Sequence, residues 1–204
     1  MRIGIDFDNT IANYDGVFHR AALERGLIPF DLPRSKNSVR DYLNGSGRKD
    51  DFTELQGYVY GARMDLVSPY PGVAEAVAAL VAAGHDLMVI SHKTRVPLKG
   101  PPHDMHAAAR GFLVANGLVG DGMIAPDRVG FHETADAKVA AIAAERCDIF
   151  IDDLPEVLTR PGFPSATRRI LFDPHGHFAD DQWIEQGLER HSRWDDITHA
   201  LLHG

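Results

Sequence analysis

The chain has 204 residues, of which 44% are hydrophobic and 25% are charged, and its formal net charge is −8 at pH 7. This length suits one domain with a sizeable insertion, and the composition is ordinary for a globular protein with a buried core. The acidic balance argues against binding to a nucleic-acid polymer, because such binding depends on neutralising many phosphates. A small phosphate-bearing ligand would need positive charge supplied locally, by a metal ion, basic side chains or backbone amides.

Three features of the sequence bear on its cellular location. The single cysteine, Cys147, excludes an internal disulfide and is compatible with a reducing compartment. No apolar run approaches the roughly 18 residues that a membrane span requires. The first residues reach Asp6 before an apolar signal segment could form. We therefore expect a cytoplasmic protein with no membrane partner, whereas the oligomeric state has no signature in the sequence.

Apolar runs of strand length alternate with helical patterns along most of the chain, which is typical of a parallel sheet with crossover helices. The predicted strands cover residues 2–6, 86–91, 128–131, 148–152 and 169–173. The predicted helices cover residues 72–84, 104–116, 134–146 and 194–202. We therefore predict an α/β fold, with a Rossmann-like three-layer core built on about five parallel strands.

The stretch from Tyr14 to Tyr70 interrupts this alternation, because a simple crossover needs far fewer residues. Its patterns are helical over residues 18–25, 38–43 and 52–64, and prolines and an Asn-Gly turn separate them. We predict a small helical cap, residues 14–70, inserted after the first strand. Residues 1–13 and 71–204 then form the core.

Three of the predicted strands end on polar residues that can support catalysis. The first leads into Asp6-Phe7-Asp8-Asn9-Thr10, the second ends at Ser91, and the fourth ends at Asp152-Asp153. In open parallel sheets the ligand site lies at the carboxyl ends of the strands, so these groups can converge. Clustered carboxylates form the oxygen-rich site that Mg²⁺ prefers, and without a cation they would repel one another. The alternative is that these acids only cap helices and turns.

These residues also carry a family resemblance. The run Asp6-Phe7-Asp8-Asn9-Thr10 resembles the DxDxT signature of the haloacid dehalogenase-like hydrolase superfamily. Ser91 resembles the second motif of that superfamily, Lys138 the third, and Phe150-Ile151-Asp152-Asp153 the fourth. The four motifs occur in the family order and span nearly the whole chain.

The resemblance implies a Mg²⁺-dependent phosphatase that hydrolyses a small phosphomonoester, with a small phosphorylated metabolite as its partner. Asp6 would be the nucleophile that forms an aspartyl-phosphate, and Asp8 would be the general acid and then the general base. Thr10, Ser91 and Lys138 would hold the phosphate. Lys93 and Arg110 remain alternatives to Lys138 as the basic residue.

The resemblance also implies the metal ligands, which are Asp6, the backbone carbonyl of Asp8, and one aspartate of the fourth motif. Adjacent residues leaving a strand point in opposite directions, so Asp152 and Asp153 are not expected to play the same part. The second aspartate is the common one in the family. We therefore expect Asp153 to bind the metal directly, with Asp152 behind it or as an alternative ligand.

A looser similarity connects the chain with the 5′(3′)-deoxyribonucleotidase branch of the superfamily. It rests on Ile151-Asp152-Asp153, Ile170-Leu171-Phe172 and Trp194-Asp195-Asp196. Asn9 departs from this branch, which usually has glycine there, and so does the region after Ser91. A 5′-nucleotidase acting on nucleoside monophosphates is therefore one alternative. A phosphomutase and a non-catalytic binding protein are others, whereas a dehalogenase would lack the second aspartate, here Asp8.

Overall fold

The computed structural model of the protein describes residues 1–178 and 182–204, and its largest element is a parallel β-sheet. In chain order the strands are β1 Arg2–Ile5, β2 Ala12–Asn13, β3 Ser68–Pro69, β4 Asp86–His92, β5 Val129–His132, β6 Ile149–Asp152, β7 Arg168–Phe172 and β8 Leu188–His191. Within the described residues the main sheet has six strands in the order β5-β4-β1-β6-β7-β8, and each neighbouring pair is parallel. Strands β2 and β3 form a separate two-stranded sheet.

The helices follow the predicted alternation. In chain order they are α1 Val17–Glu24, α2 Lys36–Gly45, α3 Lys49–Ala62, α4 Val73–Ala82, α5 Met105–Ala115, α6 Ala135–Ala144, α7 Pro155–Leu158, α8 Gln182–Glu185 and α9 Trp194–His203. Single 3₁₀ turns occur at Met64–Leu66 and Pro126–Arg128. None of the helices in the described ranges combines the length and the apolar character of a membrane span.

Alternation of side chains along the strands gives the sheet two buried faces. On one face, residues of β4, β6, β7 and β8 pack against α6 and α7 in one apolar cluster. That cluster comprises Met88, Ile90, Ile142, Cys147, Phe150, Leu158, Leu171 and Leu188. On the other face, the Phe172 ring lies 5.0 Å from Tyr70 and 5.8 Å from Trp194 of α9, which packs on α4. The helices on both faces confirm the predicted three-layer α/β fold.

Strand β1 is the point at which the strand order changes direction. Ile3 pairs with Leu87 of β4 on one side and with Ile149 of β6 on the other. The chain adds β4 and β5 on the first side and β6, β7 and β8 on the second. In doubly wound sheets, ligands bind at the carboxyl end of such a switch point. The residues that follow β1, β4 and β6 are therefore brought to one edge of the sheet.

The prediction of about five strands omitted β8, the sixth strand. Its sequence, Leu188-Glu189-Arg190-His191, has three polar residues out of four, and only Leu188 is fully buried. Strand β8 lies at the edge of the sheet, where one side has no neighbour and polar side chains are tolerated. It therefore lacks the continuous apolar run that identifies a buried parallel strand.

The chain divides into two compact units. The first comprises Met1–Ala12, Pro69–Lys93 and Leu113–Gly204, and the second comprises Asn13–Ser68 and Thr94–Phe112. The predicted cap covered residues 14–70 and did not include 94–112. Within the second unit, a Cβ at Gly57 or Gly61 of α3 would clash with the side chains of Pro97 and His103, respectively. These two glycines are four residues apart on one helix face and let segment 94–112 approach α3 closely.

Aromatic side chains form the core of the second unit. The Phe18 ring of α1 lies 5.6 Å from Tyr60 and 6.2 Å from Phe52, both on α3. Tyr14 packs edge-on against Tyr60 at 5.1 Å, and Lys36 of α2 donates to the Tyr60 hydroxyl at 2.8 Å. The three helices α1, α2 and α3 therefore share one apolar centre.

Candidate active site

Three aspartates meet where β1 and β6 end. Ile5 of β1 pairs with Ile151 of β6, and the Asp6 N–H donates to the Ile151 carbonyl at 2.9 Å. This register places Asp6 beside the end of β6, where Asp152 and Asp153 follow. One carboxylate oxygen from each of the three residues lies within 4.8 Å of the others. Strand β6 ends at Asp152, so the alternation of side-chain directions along a strand does not extend to Asp153. Asp152 and Asp153 can therefore both contribute to the cluster.

Lys138 bridges two carboxylates of this acidic cluster. It projects from α6, and its Nζ is 2.6 Å from Asp6 Oδ1 and 2.6 Å from Asp152 Oδ2. Burial alone would lower the pKa of Lys138, but the charges of Asp152 and Asp6 outweigh it and hold that pKa above its usual range. Lys138 therefore remains a cation and neutralises part of the carboxylate charge.

One lysine does not balance three carboxylates. Burial, together with the negative charge of Asp6, raises the pKa of Asp152 to about 7, even though Lys138 opposes the shift. Burial and the charges of Asp152 and Asp6 raise the pKa of Asp153 well above its usual range. A carboxylate cluster with excess negative charge and oxygen donors fits a hard divalent cation such as Mg²⁺. The donor set therefore fits the metal that the resemblance implies.

The two aspartates of β6 differ in their protein partners. Asp152 Oδ2 accepts from Lys138, and Asp152 Oδ1 accepts from the backbone N–H of Leu154 at 3.0 Å. Asp152 is fully buried, whereas Asp153 is half-buried. Both oxygens of Asp152 are thus engaged by protein donors.

Asp8 pairs with a second lysine. Lys93 follows the end of β4, and its Nζ is 3.0 Å from Asp8 Oδ1 and 2.7 Å from Asp8 Oδ2. The Lys93 side chain is 3% exposed, whereas that of Asp8 is 22% exposed. The sequence predicts Lys93 only as an alternative to Lys138. In the structure the two lysines pair with different carboxylates, Lys93 with Asp8 and Lys138 with Asp6 and Asp152. Arg110, the other alternative, is an exposed residue of α5 in the second compact unit.

The loop that carries Asp8 is closed by hydrogen bonds and a left-handed residue. Asn9 has φ 57°, a conformation that asparagine tolerates better than most non-glycine residues. The Phe7 carbonyl accepts from the N–H groups of Ile11 at 3.0 Å and Ala12 at 2.9 Å. The Thr10 carbonyl accepts from the Trp194 indole at 3.1 Å. The loop therefore holds Asp6 and Asp8 at fixed positions at the sheet edge.

Two hydroxyl groups in the same unit have no hydrogen-bond partner among the described residues. Thr10 Oγ1 and Ser91 Oγ are both buried and unpaired. Ser91 lies near the end of β4, next to β1 in the sheet, and Thr10 lies in the loop after β1. A buried hydroxyl without a partner costs about 1–3 kcal/mol, so an external acceptor would stabilise both.

Many solved structures share this fold, and they include predicted phosphatases and dehalogenases. A haloacid dehalogenase-like family hydrolase from Deinococcus radiodurans R1, crystallised with phosphate and sodium, matches with a TM-score of 0.60 and 17% identity over 98% of this chain and 94% of that one. A predicted phosphatase from Clostridium acetobutylicum matches with a TM-score of 0.58 and 15% identity over 100% and 98%. A dehalogenase matches with a TM-score of 0.59 and 15% identity over 100% and 97%.

No family model matches the sequence, and no curated protein matches it. The structural likeness covers nearly the full length of both chains in each of the three comparisons. The chain therefore has the fold of the haloacid dehalogenase-like hydrolases, as the sequence resemblance predicted. At these low identities the likeness defines the fold, and the chemistry has to be argued from the site.

Proposed function

We propose that this chain is a Mg²⁺-dependent phosphatase that hydrolyses a small phosphomonoester through an aspartyl-phosphate on Asp6. The observation that carries the proposal is the grouping of Asp6, Asp152 and Asp153 at the carboxyl edge of the sheet, where a buried lysine bridges the first two. This edge lies at the switch point, where the fold places ligands. Structural neighbours described as predicted phosphatases support the same reaction class.

In the first step a carboxylate oxygen of Asp6 attacks phosphorus, and the bond from phosphorus to the leaving-group oxygen breaks. Asp8 gives its proton to that oxygen, so an alcohol leaves and Asp6 carries the phosphoryl group. In the second step Asp8 takes a proton from a water molecule, whose oxygen attacks phosphorus and releases Asp6. The product is inorganic phosphate, and Asp8 is again protonated.

The unpaired hydroxyls and the lysine have complementary parts in this scheme. Ser91 Oγ and Thr10 Oγ1 have no acceptor within the part of the chain that the structure describes, so phosphoryl oxygens can satisfy them. Lys138 Nζ holds Asp6 Oδ1 and adds positive charge beside the transferred group. The net acidity of the chain is therefore compatible with an anionic substrate.

The metal ligands that we propose are Asp6, the backbone carbonyl of Asp8, and Asp153. The engagement of both Asp152 oxygens by Lys138 and Leu154 supports Asp153 as the direct ligand and Asp152 as the residue behind it. When bound, Mg²⁺ would neutralise charge on the phosphoryl oxygens and on the carboxylates.

Dehalogenation is the principal rival, because one of the reported structures is a dehalogenase. A dehalogenase of this fold lacks the second aspartate and the metal, whereas here Asp8 is present and ion-paired and the acidic cluster fits a cation. These features favour phosphate-ester hydrolysis. A nucleoside monophosphate and a sugar or polyol phosphate remain the two substrate classes to compare, and a cytoplasmic location remains a prediction.

A panel of phosphomonoesters, assayed with Mg²⁺ for phosphate release, tests the proposal. The panel includes aryl, nucleoside, sugar and polyol phosphates, and a parallel assay follows halide release from 2-haloacids. We expect phosphate release that thorough chelation abolishes. Asp6→Asn should lower turnover by at least about 100-fold without unfolding the protein, because it removes the nucleophile.

A matched control for Asp6→Asn is Asp121→Asn, which makes the same chemical change at an exposed loop residue. This variant should retain wild-type turnover. Activity that survives chelation would exclude the metal from the reaction. Halide release without phosphate release would favour the dehalogenase.

A further inference from the structure

We infer that Lys93 is a positioning residue, which orients the Asp8 carboxyl group for proton exchange with the leaving group. The inference rests on the proposed phosphatase function and concerns a residue to which that scheme gives no part. The Lys93 ammonium contacts both oxygens of Asp8, at 3.0 Å and 2.7 Å. A cation that contacts both oxygens restricts rotation of the carboxyl group about its terminal bond.

The surroundings of Lys93 hold its ammonium in place. Its backbone N–H donates to the His132 carbonyl at 2.8 Å, which extends the pairing of β4 with β5 by one residue. Its Nζ lies 5.5 Å from the centroid of the Phe7 ring, and Phe7 is itself fully buried against Phe131. The Lys93 side chain therefore approaches Asp8 from the protein interior, where a charge-assisted hydrogen bond is stronger than at the surface.

The partly exposed side of Asp8 is the one available to a substrate. A protonated carboxyl group has one hydroxyl that donates and one carbonyl-type oxygen that accepts. If the ammonium of Lys93 binds the accepting oxygen, the proton is left on the other oxygen, where it can reach the leaving group. Loss of Lys93 would remove this restraint on the Asp8 carboxyl group, and small losses of alignment in proton transfer are costly.

Lys93 could instead bind the phosphoryl group of the substrate, and the two roles predict different kinetics. General acid catalysis matters when the leaving group is a basic alkoxide and matters little when it is a stable phenolate. Phosphate binding matters equally for both. The ratio kcat/KM includes only steps up to leaving-group release, so it isolates the step in which Asp8 acts as an acid.

The test compares an alkyl phosphate that the wild type hydrolyses with 2,4-dinitrophenyl phosphate. Lys93→Met removes the charge and keeps the length of the side chain. We expect it to lower kcat/KM for the alkyl ester by about 100-fold but to change kcat/KM for the dinitrophenyl ester by less than about fivefold. For the dinitrophenyl ester, kcat and KM of Lys93→Met should decrease by a similar factor, which leaves kcat/KM nearly unchanged. The reason is that hydrolysis of the aspartyl-phosphate still needs Asp8 as a base, so this later step becomes slower. Lys93→Arg should recover part of the activity toward the alkyl ester.

Two further variants keep the comparison decisive. Asp8→Asn should show the same dependence on the leaving group, and adding Lys93→Met to it should cause no further loss, because both changes remove the same function. Lys49→Met changes an exposed lysine of α3 in the same way and should leave both substrates unaffected. If Lys93→Met does not fold, as judged by circular dichroism, Lys93→Gln takes its place with the same expectations.

The results distinguish positioning of Asp8 by Lys93 from phosphate binding by Lys93, and both from a failure of the proposed function. Equal losses for both esters, or an additive loss in the Asp8→Asn background, would show that Lys93 binds phosphate and would overturn the inference. Unchanged kinetics in Lys93→Met would overturn it as well. If the wild type hydrolyses neither ester, the proposed phosphatase function fails first, independently of Lys93.

Discussion

Asn9 lies in the loop between the two aspartates and Thr10 of the first motif, and its backbone conformation shows why asparagine is tolerated there. With φ 57° it occupies the left-handed region, where glycine is most favourable and asparagine is the next best choice. Its N–H donates to the Ala12 carbonyl at 2.9 Å and closes the loop between Asp6 and Thr10. The backbone conformation at this position is therefore accessible to asparagine as well as to glycine.

Substitutions at Asn9 should follow backbone preference. Asn9→Gly should leave the free energy of unfolding nearly unchanged, whereas Asn9→Val should lower it by about 1–2 kcal/mol, because a β-branched residue is strained at positive φ. Urea denaturation of the two variants measures the difference. Equal stability of Asn9→Val and Asn9→Gly would show that the loop relaxes to another conformation.

At the residue scale, the side chains that the sequence places most directly are those that follow a buried strand. Asp6, Asp152 and Asp153 were placed at one sheet edge from the sequence, because parallel strands read as apolar runs and end together. The ion pair between Lys93 and Asp8 could not be predicted. The two residues are 85 positions apart, and their contact depends on the path of the loop that Asn9 closes.

At the scale of elements, the packing of the Phe150 ring against β1 depends on Gly4. A Cβ at this position would lie 2.5 Å from Phe150 Cδ2 and 3.1 Å from Cys147 Sγ. Phe150 is fully buried in the apolar cluster between the sheet and α6. Gly4 therefore allows Phe150 to lie over β1, and both residues come two positions before the carboxylates that their strands supply to the site, Asp6 and Asp152.

Gly4→Ala should lower the free energy of unfolding by about 1–3 kcal/mol, because the added methyl group overpacks this region. The matched control is Gly111→Ala, since Gly111 is exposed in α5 with open space around its Cβ position. That variant should gain about 0.5–1 kcal/mol from helix propensity. Chemical denaturation of both proteins checks the prediction, and a Gly4→Ala variant as stable as the wild type would contradict it.

Prediction of elements from the sequence was limited in two places, for different physical reasons. Strand β8 was missed because an edge strand needs no continuous apolar run. Segment 94–112 was not assigned to the second unit, because its place there depends on contacts with Gly57 and Gly61 of α3. Both glycines lie inside a helical pattern, where glycine is usually unfavourable, and that is the sequence signal that could have indicated a close approach.

For the whole molecule, the net charge of −8 is compatible with an anionic substrate because charge is distributed locally. Two buried lysines, Lys93 and Lys138, each pair with carboxylates at the sheet edge. Burial, together with the negative charge of neighbouring carboxylates, raises the pKa values of Asp152 and Asp153, which favours a divalent cation there. The fold supplies the convergence of strand ends, and the side chains supply the chemistry.

The central claim is that Asp6 carries the phosphoryl group during turnover. The most direct measurement is acid quenching of the enzyme during hydrolysis of the best substrate from the panel, followed by mass spectrometry of the peptide that contains Asp6. We expect a phosphorylated peptide with the group on Asp6, formed within one turnover and absent in Asp6→Asn. Turnover by a wild-type enzyme that never carries phosphate on Asp6, or a phosphorylated Asp6→Asn enzyme, would contradict it.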